Sequence, residues 1–128
     1  MKKYRFIIFT VLLLALTGCA GGSGNSYTQI SMDEAIEMMG TEENYIILDV
    51  RTKEEFDAGH IEGAINIANE VIHQDQSDNL PDKEQLILVY CRSGNRSKQA
   101  SEKLVKQGYT NVYEFGGIID WPGDVVVE

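Results

Sequence analysis

Leu86-Ile87-Leu88-Val89-Tyr90-Cys91-Arg92-Ser93-Gly94-Asn95-Arg96-Ser97 joins an apolar run to a short polar turn. Leu86 to Tyr90 reads as a buried strand. Lys98 to Gln107 reads as a helix, ended by Gly108. A cysteine at the carboxyl end of a strand, on a turn that feeds a helix N-terminus, stands where open α/β sheets bind ligands. Backbone N–H groups and the helix dipole favour anions there and lower a thiol pKa from its free value of about 8.5. Arg92 and Arg96 add positive charge, and the stretch describes a nucleophilic thiolate in an anion-binding loop. Cys91 is the candidate catalytic residue. The candidate substrate-binding residues are Arg92, Ser93, Gly94, Asn95, Arg96 and Ser97. A guanidinium fork suits an oxyanion, serine hydroxyls donate to it, and Gly94 lets the chain turn tightly.

Outward from the loop, strands and helices alternate. Tyr27 to Ile30 reads as a short edge strand. Ser31-Met32-Asp33-Glu34 is a capping box opening a helix to about Met39, with Gly40 as its end. Tyr45 to Val50 is a near-continuous apolar strand, as central parallel strands are. Thr52-Lys53-Glu54-Glu55 is a second capping box, for a short helix closed by Gly59. Ala64 to Ile67 and Val112 to Phe115 read as further strands, Gly116-Gly117 as a turn, and Glu70 to Asn79 as a polar stretch without a clear element. The alternation predicts an α/β domain with a mainly parallel sheet.

The chain has 128 residues, with 11 Lys+Arg against 20 Asp+Glu. Its start is of a different kind. Lys2, Lys3 and Arg5 precede an apolar run from Phe6 to Leu16 that is short for a bilayer span and has the shape of a signal peptide. Leu16-Thr17-Gly18-Cys19 resembles the lipobox of bacterial lipoproteins, which implies acylation of Cys19. Residues 1–18 are therefore expected to be a signal peptide, residues 19–26 a lipidated cysteine and flexible Gly/Ser tether, and residues 27–128 the folded domain. Without the three leading basic residues, eight Lys+Arg face 20 Asp+Glu, a formal charge of −12. That balance argues against nucleic acid and against a polybasic membrane-binding face. Three of those eight, Arg92, Arg96 and Lys98, crowd into the loop. Cys91 is then without a partner cysteine, and in an exported chain a polar-flanked free thiol points to use.

Asp49-Val50-Arg51, Glu54-Glu55-Phe56, Gly59-His60-Ile61-Glu62-Gly63-Ala64-Ile65-Asn66-Ile67, the Cys91 loop and Gly116-Gly117-Ile118-Ile119-Asp120-Trp121 together resemble a single-domain rhodanese over about Tyr27 to Val127. The resemblance implies a rhodanese-like α/β fold, with five mainly parallel strands and helices on both faces. It implies sulfane-sulfur transfer through a persulfide on Cys91, from thiosulfate or a similar small anionic donor to cyanide, a thiol or a protein acceptor. The alternatives are a non-catalytic rhodanese-like docking domain and an extracytoplasmic thiol or persulfide redox relay. Cys91 and Arg96 enclose four residues, where the cysteine-dependent phosphatases this loop resembles have five. The tighter ring suits one sulfur atom better than a tetrahedral phosphate. Ala68 stands where many members have proline, and any closing helix after Trp121-Pro122 is short or absent.

Asp49 and Arg51 are supporting candidates. Asp49 ends a central strand as an acceptor for backbone or Arg51, while Arg51 is expected to pair with Glu54 or Glu55. His60 and Trp121 are expected to be structural, His73 solvated, and Tyr90 packed against the sheet. No metal or cofactor is expected. The expected protein is a monomer, held outside the cytoplasm by a lipid anchor on a membrane.

Overall fold

The computed structural model describes residues 26–128. The signal-like segment, Cys19 and the tether up to residue 25 lie outside the described residues. The elements run β1 (Thr28–Gln29), α1 (Met32–Thr41), β2 (Tyr45–Asp49), α2 (Lys53–Ala58), β3 (His60–Ile61), β4 (Ile65–Asn66), β5 (Leu86–Cys91), α3 (Asn95–Lys106), β6 (Val112–Gly117) and β7 (Val125–Val126). Short 3₁₀ turns occupy Asn69–Val71 and Ile118–Asp120.

Five strands form one sheet in the order β1-β6-β5-β2-β4. All four pairings in it are parallel. Parallel neighbours need crossovers, and the helices supply them on both faces. Alternate residues of the two central strands therefore bury in two directions. Leu48, Ile87, Val89 and Cys91 pack with Ala100 and Leu104 of α3 and with Ile72 and Leu80. Ile47, Leu88, Tyr90 and Phe115 pack with Ala35 of α1, and Phe56 of α2 closes against them. A fully buried apolar side chain such as Leu48 or Leu104 contributes roughly 1.5–3 kcal/mol by leaving water.

Both capping boxes form. Ser31 Oγ accepts from Glu34 N and Glu34 Oε1 accepts from Ser31 N, and Thr52 and Glu55 repeat the exchange. α1 continues through Gly40 to Thr41, whose hydroxyl donates back to Glu37 O at 3.2 Å. α3 starts at Asn95 rather than Lys98, because Gly94 at φ 116° turns the chain directly into the helix. β6 runs through the Gly116-Gly117 pair expected to be a turn. The two-residue strand β7, not anticipated, pairs antiparallel with β3.

Candidate active site

Cys91 is the last residue of β5, at the carboxyl edge of the sheet, and the chain then winds through Arg92, Ser93 and Gly94 into α3. α3 has no side-chain cap at Gly94 and no acidic residue in its first turn. The sulfur fills that role. Gly94 N donates to Cys91 Sγ at 2.9 Å, and the N–H groups of Ser93 and Ser97 also reach it. Ser97 is the third helical residue, so the sulfur accepts where a capping oxygen ordinarily would. Burial alone pushes the Cys91 thiol up, but the Ser97 side chain and the Ser97, Gly94 and Ser93 amides outweigh it. The net displacement is downward from the ordinary thiol value. Cys91 is only 1% exposed, so a donor must present a slender sulfur tip to reach it.

β6 closes the other side of the loop. A side chain at Gly117 would place its Cβ 1.9 Å from the Arg92 carbonyl oxygen, so only glycine permits this approach. Ile119 N, just beyond, donates to that same oxygen at 3.3 Å.

The predicted loop residues come together, with differences in charge. Arg92, Ser93 and Asn95 are exposed at the mouth, while Gly94 and Ser97 are buried. Arg92 has no ion-pair partner among the described residues. Arg96 does: its guanidinium holds Glu55 at 2.7 and 3.2 Å. That pairing and Thr52 hold the Glu55 carboxyl down at about 2, with partial burial opposing.

Asp49 and Arg51 stand apart from the sulfur as a buried support. Arg51 pairs with Asp49 at 2.7 Å, not with Glu54 or Glu55 as expected, because both side chains leave the sheet edge on the same side. Arg51 also donates to Gly59 O. Tyr90 does more than pack: its hydroxyl donates to Asp49 Oδ2 at 2.7 Å and accepts from Ile61 N at 3.1 Å. His60 is buried, stacked on Phe56 and bonded through Nδ1 to Phe56 O. Trp121 is half-buried against the same cluster, with Nε1 donating to Asp124 O. Among the described residues there is no cluster of potential metal ligands. A surface groove lined by Tyr27, Glu102, Val105 and Lys106 lies at the β1 edge, away from Cys91.

One buried residue at the site was not anticipated. Glu114 of β6 is 1% exposed and takes a hydrogen bond from Ser97 Oγ. The available signal was a lone carboxylate within an otherwise apolar strand, a residue type almost never fully buried without a partner.

Comparison with known proteins agrees with this geometry. The chain is 40% identical over 73 residues to the thiosulfate sulfurtransferase PspE of Escherichia coli (strain K12), covering 57% of this chain and 70% of that protein. It is 35% identical over 96 residues to the thiosulfate sulfurtransferase GlpE of Coxiella burnetii, covering 74% of this chain and 87% of that protein. A solved structure described as a rhodanese with anions from E. coli superposes with a TM-score of 0.60 at 36% identity, over 66% of this chain and 99% of that one. Residues 31–123 match the family described as Rhodanese-like domain, a span that holds four of the sheet's five strands, both capping boxes and the whole sulfur cradle. The chain is a member of the rhodanese-like domain family.

Proposed function

We propose that the protein is a sulfurtransferase that carries sulfane sulfur as a persulfide on Cys91. The single observation that carries this reading is the sulfur seated at the amide-lined start of α3, with its thiol displaced downward. The thiolate attacks the outer sulfur of thiosulfate. A Cys91–sulfur bond forms, the sulfur–sulfur bond of thiosulfate breaks, and sulfite departs with the electron pair. The persulfide stays ringed by the Ser93, Gly94 and Ser97 N–H groups, which oppose its negative charge without having to reorganise. A thiophilic acceptor, such as cyanide, a thiol or a protein thiolate, then attacks the outer sulfur and Cys91 leaves as thiolate. Arg92 at the mouth, without an ion-pair partner among the described residues, supplies a cation for an anionic donor. Cys91→Ser removes the nucleophile while keeping the fold. In the thiosulfate-to-cyanide assay, activity is expected to vanish and the 32-dalton class of sulfur adduct on the intact protein to disappear with it. Equal turnover by the serine variant overturns the assignment. We further propose that Cys19 carries a lipid, which places the domain on a membrane outside the cytoplasm.

A further inference from the structure

Glu114 has no part in the sulfur chemistry just described, yet it sits beside it. Its Oε2 accepts from Ser97 Oγ at 2.5 Å and from Gly116 N at 3.0 Å. Its Oε1 is buried with no hydrogen-bond partner among the described residues. Ser97, fully buried, has one hydroxyl proton and several claimants for it: Glu114 Oε2, Gly94 O at 2.9 Å, and Cys91 Sγ at 3.5 Å. The two forms of Cys91 make opposite demands on that proton. A thiol donates to Ser97 Oγ, which leaves Ser97 free to donate to a Glu114 carboxylate. A thiolate needs the Ser97 proton for itself, and Ser97 Oγ must then accept from a Glu114 carboxylic acid. A carboxylic acid also leaves the orphan Oε1 as a carbonyl rather than a charged oxygen, which costs less when buried.

We propose that Glu114 is a positioning residue that shares one proton with Cys91 through Ser97. The S–H proton moves to Ser97 Oγ as the Ser97 proton moves to Glu114 Oε2, giving thiolate and carboxylic acid with no change in net charge. The cluster thus holds one negative charge in either form, and a second is gained only at higher pH, against the repulsion of the first. This rests on Cys91 as the nucleophile, but it concerns the resting thiol and precedes any donor.

Other charged groups face the pair. Arg96 of α3 feels the Cys91 charge and is itself held by Glu55 of α2. Tyr27, before β1, is pushed upward by burial and by Glu102 and Glu114. Arg92 lies exposed at the mouth. A titration step arising from any of these survives replacement of Glu114.

The test is the pH dependence of Cys91 alkylation by iodoacetamide, followed on the Cys91 peptide by mass in the full chain. Two groups sharing a proton titrate in two macroscopic steps. The wild-type rate is expected to rise to a plateau and rise again, whereas Glu114→Gln, which cannot take the proton, rises once. Ser97→Ala keeps both acids but removes the bridge, is expected to lose the plateau, and serves alone if the glutamine variant does not fold. A single rise in the wild type, or a plateau that persists in either variant, overturns the proposal. Alkylation does not require sulfur transfer, so inactivity with thiosulfate leaves this result readable, and failure here leaves the sulfurtransferase reading intact.

Discussion

Glu55 serves two neighbours with one carboxylate. It closes the α2 capping box with Thr52 and holds the Arg96 guanidinium. Arg96 is therefore partly neutralised before any donor arrives. Glutamine preserves a capping box but not the ion pair. Glu55→Gln is expected to lower KM for thiosulfate by a few-fold to about tenfold, the worth of about one charge-assisted contact, with kcat little changed. Steady-state kinetics check this, and a raised KM counts against it. The same variant has a pH signature. The Glu55 carboxyl lies at about 2 against an ordinary 4.5. Its depressed value adds stability that is present above pH 4.5 and lost as pH falls toward about 2. Urea midpoints measured over that acid range are expected to fall less steeply in Glu55→Gln than in the wild type. The residues legible from sequence were those whose meaning is local. Cys91 to Ser97 are consecutive, so strand, turn, cationic charge and helix start could be read together. The Arg96–Glu55 pair spans 41 positions and the Ser97–Glu114 contact spans 17, and no local pattern announces either.

Local chemistry also decided which elements were legible. Ser31 with Glu34, and Thr52 with Glu55, each satisfy their own helix start, so α1 and α2 could be placed from four residues apiece. β7 could not, because Val125–Val126 becomes a strand only by pairing with His60–Ile61 far up the chain. The first turn of α3 was missed for a related reason: its cap is a sulfur from the preceding strand, which no capping pattern describes. Ala68 shows an element end with room for improvement. It precedes the Asn69–Val71 turn at φ −63° and ψ 141°, a conformation proline already holds, and its N–H makes no backbone hydrogen bond among the described residues. Ala68→Pro is expected to stabilise the protein by about 0.4–1 kcal/mol, chiefly by restricting the unfolded chain. A thermal or urea midpoint that falls would show that the half-buried site cannot take the ring.

For the molecule entire, the alternation of strands and helices made the parallel α/β architecture legible, while the strand order came from pairings that no single segment encodes. The proposed anchor is tested on the full chain. Wild-type protein is expected in the membrane fraction, released by detergent and not by salt, because two or more acyl chains hold far better than one. Cys19→Ala is expected to abolish lipid incorporation, and equal lipid labelling of both forms would refute the anchor. The sheet order carries one more consequence, for the time course of folding. β1, near the start of the described residues, pairs with β6, near their end, so that Thr28 meets Tyr113. Such distant closure is slow compared with helix formation. β6 also brings Glu114 to Ser97 and Gly117 to the Arg92 carbonyl. A nascent chain that has emerged only through α3 therefore displays Cys91 as an ordinary, unshielded thiol. Chains arrested before Val112 are expected to alkylate at Cys91 with the pH dependence of an ordinary thiol, whereas finished chains alkylate from lower pH, so the nucleophile matures last, when the final central strand arrives.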